Sequence, residues 1–358
     1  MGRIKTPISL AKYPAFTLLL LLIIAGTLIV LRTERAETVS RSQILLGTFV
    51  EIKVSGHDRA ALNHAIDQAF AEISRIDREM GVRGGGELER VNQSVVGDPI
   101  LISEELFTIL SEAERFHRLT DGKFDVSVGR LVETWRFGYD GEETEEVEGY
   151  IPSEDELRRL IAEDDSILLD RVRRTVTLTS ETARIDLGGI AKGYAADRAM
   201  EVLKGAGVEA ALIDAGGDIR VYNRKPVRSL LFFERERPFQ IGIQHPRVER
   251  KLLGTIELEG DRAVATSGDY QQYRIVDGTR YHHILDPDTG WPARRAISVT
   301  VAAPTAMAAD ALSTGVFVLG PESGMILIER LDEVEGVIVT STGEILRSSG
   351  LQDVELNF

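Results

Sequence analysis

The longest apolar stretch comes first in the chain: Tyr13 to Leu31 gives 19 residues without a charge, bounded by Lys12 and Arg32. At about 1.5 Å per helical residue it spans a hydrocarbon core of about 30 Å, and the basic residues before it, Arg3 and Lys5, hold the N-terminus on the cytoplasmic side. This predicts residues 1–12 as a cytoplasmic tail, 13–31 as a single-pass anchor, and export of everything that follows. A cleaved secretory signal is the alternative, but Leu31-Arg32-Thr33-Glu34-Arg35-Ala36 offers no small-x-small cleavage site. Residues 32–43 are polar without periodicity and read as a tether, so the folded region is expected over 44–358.

Within that region the spacing of apolar positions changes repeatedly. Thr48 to Val54 reads as a strand, and Ala61, Leu62, Ala65, Ala69, Ile73 and Ile76 fall at helical spacing within a helix from about Asp58 to Met80. A second helix covers about Glu104 to Thr120 and stops at Asp121-Gly122. The acidic segment Asp140 to Gly149 reads as a solvated loop. Ser153-x-x-Glu156 has the form of a capping box and starts a helix reaching about Ala162. Strands are then expected at Val176 to Leu178, Arg184 to Leu187, Ala210 to Ile213, Ile219 to Val221, Phe239 to Ile243 and Leu252 to Leu258, with a helix over Ile190 to Lys204. Tyr273 to Val276 and Thr279 to Leu285 flank Asp277-Gly278, the strongest hairpin signal in the chain, and place Tyr281, His283 and Leu285 on one face. A helix over Thr305 to Leu319, another to Leu331 and a strand at Val337 to Thr340 complete the pattern. There is no internal repeat, and the expected fold class is mixed α/β (α+β) in a single region.

At 358 residues and 43% hydrophobic content the chain can bury a sizeable core. A net charge of -15 without clustered Lys and Arg argues against nucleic acid as a partner. The absence of cysteine excludes a thiolate nucleophile, disulfides, cysteine-ligated zinc and an acylated cysteine, so any membrane attachment is by peptide.

Four segments could carry chemistry. In Asp186-Leu187-Gly188-Gly189-Ile190-Ala191-Lys192-Gly193-Tyr194 a short strand meets a helix at two glycines, which lets backbone approach a phosphate at a helix N-terminus; an ordinary turn explains the glycines equally well. In Ala309-Asp310-Ala311-Leu312-Ser313-Thr314 the oxygens at 310, 313 and 314 share one helix face among apolar neighbours, a polar notch suited to a hard cation such as Mg2+. Thr266-Ser267-Gly268-Asp269-Tyr270 precedes the hairpin that bears His283. Finally, Gly216-Gly217-Asp218 and Phe124-Asp125-Val126-Ser127-Val128-Gly129 each set an acid beside turn-like backbone, which turn chemistry also explains.

Together with Leu46-Gly47-Thr48-Phe49, Glu87-Leu88-Glu89-Arg90-Val91-Asn92, Trp135, Phe137-Gly138 and His283 to Gly290, these segments resemble, in order, the ApbE-type family of flavin transferases. The resemblance runs from Leu46 to about Leu331 and implies a T-fold-like catalytic region acting as an FAD:protein FMN transferase. Such an enzyme passes FMN from FAD to a Thr or Ser hydroxyl of an acceptor protein with release of AMP. It implies Mg2+ held by Gly189, Asp310, Ser313 and Thr314, with FAD near Leu46, Lys123, Phe124, Asp125, Asp186, Lys192 and Leu285. His283 matches the family's functional histidine and is the candidate base. The implied acceptor belongs to a membrane or exported electron-transfer system, which suits an enzyme anchored in the inner (cytoplasmic) membrane and facing the periplasm. Two other readings fit the same residues: a Mg-dependent FAD pyrophosphatase and a non-catalytic exported flavin-binding protein. Relatives usually carry an aromatic residue where this chain has Val82, so a ring that could stack on the flavin is missing there.

Overall fold

The structure, a computed structural model, describes residues 36–137, 150–161, 166–224 and 238–351, with 354 and 356. The expected anchor at 13–31 and the acidic loop at 140–149 lie outside the described residues. No described helix is long and apolar enough to cross a membrane.

An eight-stranded sheet organises the molecule. Its strands are β1 (Glu37–Leu45), β2 (Thr48–Gly56), β6 (Ala210–Ala215), β7 (Asp218–Asn223), β10 (Asp261–Gly268), β13 (Ala296–Ala303), β14 (Glu335–Thr340) and β15 (Ile345–Arg347), lying side by side in that order. Every neighbouring pair is antiparallel. A three-stranded sheet orders β3 (Ile100–Leu101), β5 (Thr175–Leu178) and β4 (Ile167–Asp170), and two ribbons pair β8 (Phe239–Gln244) with β9 (Leu252–Leu258) and β11 (Tyr273–Val276) with β12 (Thr279–His282).

The chain begins to fold earlier than its pattern predicts. Residues 37–43, expected as tether, belong to β1, which pairs with β2 along all nine of its residues. An edge strand has to bury little, and in β1 only Val39 is buried, so its hydrogen bonds rather than any apolar run keep it in the sheet.

Three helices cover one face: α1 (Arg59–Met80), α6 (Ala191–Gly205) and α7 (Ala306–Leu319). The apolar stripe of α1 is buried as expected, from Leu62 to Met80, and Asp58 caps it by accepting from the amides of Ala60 and Ala61. The other face of the sheet is covered by the β8–β9 ribbon, whose Ile241, Ile243, Leu253 and Ile256 pack on Val221, Val264, Val337 and Val339. All eight residues of β13 are buried between these layers.

The other helices are α2 (Glu87–Asn92), α3 (Glu104–Leu119), α4 (Gly129–Trp135), α5 (Glu154–Leu160) and α8 (Pro321–Arg330), of which α3 adds Leu106, Ile109 and Phe116 to the core. Ser153 caps α5 by accepting from the Glu156 amide, while the Glu156 carboxylate accepts from the Tyr150 hydroxyl rather than closing the reciprocal half of the box. Arg184 to Leu187 is not a strand: it forms one parallel bridge, Arg184 to Val128, because its sequence neighbours turn away into the glycine pair.

Candidate active site

The glycine segment builds the floor of the site. Asp186 donates its amide to Val126 O and accepts the Gly188 amide on Oδ1 at 2.8 Å, which fixes the turn into α6. Lys192, in the first turn of α6, reaches back so that Nζ lies 3.1 Å from Gly188 O. The next residue, Gly193, has to be glycine, since a Cβ there would stand 2.2 Å from Ala306 O. That close approach seats α6 against the start of α7 and lets the Gly193 amide donate to Asp310 Oδ2 at 3.1 Å.

The polar notch anticipated on α7 is present and deeper than its sequence implies. Asp310 is 3% exposed, and Lys192 Nζ stands 3.4 Å from its Oδ1. A second acid enters from the sheet: Asp218, first residue of β7, lies 3.0 Å from the same ammonium. Gly216 and Gly217, with φ of 69° and 98°, make the tight turn that delivers it. Burial pushes the Asp218 carboxyl up and Asp310 adds to the rise, against the opposing pull of Lys192. Burial works against charge on Lys192, yet the two carboxylates outweigh it and hold the ammonium above its usual range. The oxygen that faces the ammonium is the buried Oδ2 of Asp218.

On the next turn of α7, Thr314 Oγ1 lies 3.1 Å from Ser267 Oγ, and a Cβ on Gly189 would touch that hydroxyl at 3.3 Å. Gly189, Asp310 and Thr314 are therefore gathered in one place. Ser313 lies beside them, its hydroxyl donating to Asp310 O at 3.0 Å and pairing with Ser267 Oγ at 2.9 Å.

His283 follows the last residue of β12. Its amide and its ring Nδ1 both face Gln272 O, at 3.1 and 3.3 Å. A carbonyl can only accept, so Nδ1 carries the proton and Nε2 keeps a free lone pair. Burial pushes the imidazole down to about 4; the Gln272 carbonyl opposes the shift, and His282 and Lys192 reinforce it. The ring is neutral at pH 7.

The remaining expected residues each have their own partners. Lys123 bridges Asp286 at 3.0 Å and Asp288 at 2.7 Å, tying the turn after α3 to the loop beyond His283. Burial lowers the affinity of Lys123 for its proton, and the two acids more than restore it. Phe124 is buried against Gly189, and Asp125 accepts the Ser127 amide at 2.7 Å. Leu46 takes φ 55° at the β1–β2 turn, its amide held by Asp77 at 2.9 Å. Leu285 is buried with Leu131, Trp135, Phe137 and Leu157, so a ligand there would meet backbone rather than side chain. Val82 packs on the main core. Asp218 and Ser267 join the notch from separate strands; the motif Gly216-Gly217-Asp218 was the one sequence signal for the former.

These features coincide with similarity to known proteins. The model of the ApbE family matches residues 46–338. A protein of Vibrio cholerae named FAD:protein FMN transferase is 35% identical over 334 residues, covering 90% of this chain and 94% of that one. A protein of the same name from Treponema pallidum is 29% identical over 331 residues, with 89% of each chain covered. Among solved structures, the ApbE protein of Thermotoga maritima superposes with a TM-score of 0.77 at 34% identity, covering 89% of this chain and 99% of that one. The flavin transferase ApbE of Vibrio cholerae gives a TM-score of 0.73 at 31% identity, covering 89% and 100%. The chain belongs to the ApbE family.

Proposed function

We propose that this protein is an FAD:protein FMN transferase. The observation that carries the reading is the convergence of Gly189, Lys192, Asp218, Asp310 and Thr314 at a helix N-terminus, in a chain whose relatives bear that name. In the reaction, a Thr or Ser Oγ of the acceptor attacks the phosphorus on the FMN side of the FAD diphosphate. The diphosphate P–O bond breaks, AMP leaves with the bridging oxygen, and the hydroxyl proton passes to Nε2 of His283.

Such a transfer depends on positioning and on neutralising phosphate charge more than on covalent help from the protein. Asp310 Oδ1, Thr314 Oγ1 and the Gly189 carbonyl are hard oxygen donors, and Asp218 sets a second acid beside them, paired with the Lys192 ammonium. This set fits Mg2+, which when bound supplies neutralisation of the diphosphate oxygens. Lys192 contributes a fixed positive charge on the same side, and the Gly193 amide keeps Asp310 oriented. His283, neutral and with Nδ1 tied to Gln272, presents one nitrogen as proton acceptor. Leu46, Lys123, Phe124, Asp125, Asp186 and Leu285 form the FAD-facing rim in this reading. The chain is anchored by residues 13–31 in the inner membrane, faces outward, and modifies electron-transfer subunits there.

The test uses the full chain in detergent with FAD, Mg2+ and the extracytoplasmic domain of a flavin-accepting electron-transfer subunit. A gain of one FMN in acceptor mass with stoichiometric AMP, abolished by EDTA, is expected. AMP and free FMN without an adduct would replace the transferase by the pyrophosphatase.

A further inference from the structure

The β11–β12 ribbon stands apart from the sheets and turns through Asp277 and Gly278, with φ of 49° and 75°. In a two-residue hairpin the flanking pair, here Val276 and Thr279, exchanges both backbone hydrogen bonds, and the pattern alternates along the ribbon. Tyr273 and Ile275 therefore aim their N–H and C=O groups away from β12. Among the described residues no strand pairs with that outer edge.

The side chains of the same two residues are 44% and 60% exposed. Arg280, directly opposite Ile275, stacks its guanidinium 3.8 Å from the centre of the Tyr273 ring and gives one hydrogen bond to Asp269 O at 3.3 Å. An apolar pair bordered by a cation thus lies along a free strand edge. At its inner end the edge meets the chemistry: Gln272, which precedes Tyr273, is the residue whose carbonyl orients His283.

We infer that the outer edge of β11, with Tyr273, Ile275 and Arg280, is the docking site for an extended segment of the acceptor protein, which adds as a further strand and carries its target hydroxyl past Tyr273 to His283. This rests on the transferase reading. Strand addition draws affinity from main-chain hydrogen bonds and specificity from alternate side chains. The segment that fits has apolar residues over Tyr273 and Ile275, no proline at its bonding positions, and an acidic residue facing Arg280.

The probe is the extracytoplasmic domain of a flavin-accepting electron-transfer subunit whose target threonine is replaced by alanine, titrated against the full chain in detergent. Ile275→Pro removes an outward N–H and the apolar side chain without breaking a hydrogen bond of the ribbon, and Ile275→Glu places a charge on the apolar face. Both variants should bind the probe at least tenfold more weakly, while FAD affinity and Mg-dependent AMP release from FAD stay within twofold of the parent. In the unaltered chain, the amides of Tyr273 and Ile275 should gain protection from hydrogen exchange when the probe is added. Unchanged probe affinity in both variants, or no protection of those amides, overturns the docking site. A parent that binds the probe but never transfers FMN to the intact acceptor would sink the transferase reading and leave the docking site standing.

Discussion

Lys192 Nζ lies 3.0 Å from Oδ2 of Asp218, so the one ammonium in the notch is held on the sheet side, slightly farther from Asp310 on the helix side. Asp218→Asn removes that hold. The ammonium then closes on Asp310 and competes with Mg2+ for its oxygens. The Mg2+ concentration for half-maximal AMP release should rise about tenfold, and equal metal dependence in variant and parent would contradict the assignment.

Asp310 does two things that substitutions can separate. Asp310→Ala strips the buried Gly193 amide of its acceptor, at a cost of about 1–3 kcal/mol in denaturant unfolding. Asp310→Asn keeps an oxygen for that amide and should be the more stable of the two. Both should lose Mg-dependent turnover by at least about a hundredfold while still binding FAD. Metal-dependent turnover surviving in the Asn variant would remove Asp310 from the metal set.

His283 sets a pH window. Its folded value of about 4 lies below the ordinary histidine value of 6.5. Between those values the unfolded chain binds a proton that the folded chain refuses, so this site's contribution to stability falls as pH drops from about 6.5 to about 4. A His283→Gln variant should lose that part of the slope of stability against pH. In the same variant FAD should bind while FMN transfer slows about a hundredfold or more. A ring titrating near 6.5 by NMR in the ligand-free chain would overturn the buried, neutral description.

Gly193→Ala tests the helix contact that assembles the notch. The added methyl would meet Ala306 O and Met307 N, both backbone atoms at 2.2 and 2.7 Å, so α6 and α7 have to separate. A loss of at least about 2 kcal/mol in stability, with turnover lost in whatever remains folded, is expected. Near-parental unfolding would mean that the two helices are less tightly joined than described.

How legible this was in the sequence depended on the kind of signal. The stripe of α1 and the Asp277-Gly278 hairpin are local, and each is found where its spacing predicts. The central strand β13 was missed although Ile297, Val299 and Val301 alternate with Ser298 and Thr300, a signal that could have found it; burial of all eight residues follows from its place between the two layers. The ribbon's strand pairing ends at His282 rather than Leu285: the His283 amide still bonds Gln272 O one step along the same register, and beyond it Ile284 and Leu285 pair with Ala293 and Pro292 instead. On α7 the positions of Asp310 and Thr314 were readable from helix periodicity. Nothing local tied Asp218 and Ser267 to the same place. That tie exists only because the sheet order sets β7 beside β10 beneath α6 and α7.

The early start of β1 fixes how far this protein can reach. With the proposed anchor ending at Leu31, six residue steps lead to Glu37 and nine more run along β1 to Leu46. At no more than about 3.6 Å per fully extended residue, Leu46 can stand no more than about 54 Å above the bilayer surface. Because nine of those fifteen steps are locked into a sheet, the leash has little slack. The protein would serve only acceptors that present their target hydroxyl within reach of a domain held on that short leash, and lengthening residues 32–36 with a flexible insert would enlarge the set of substrates without touching the site.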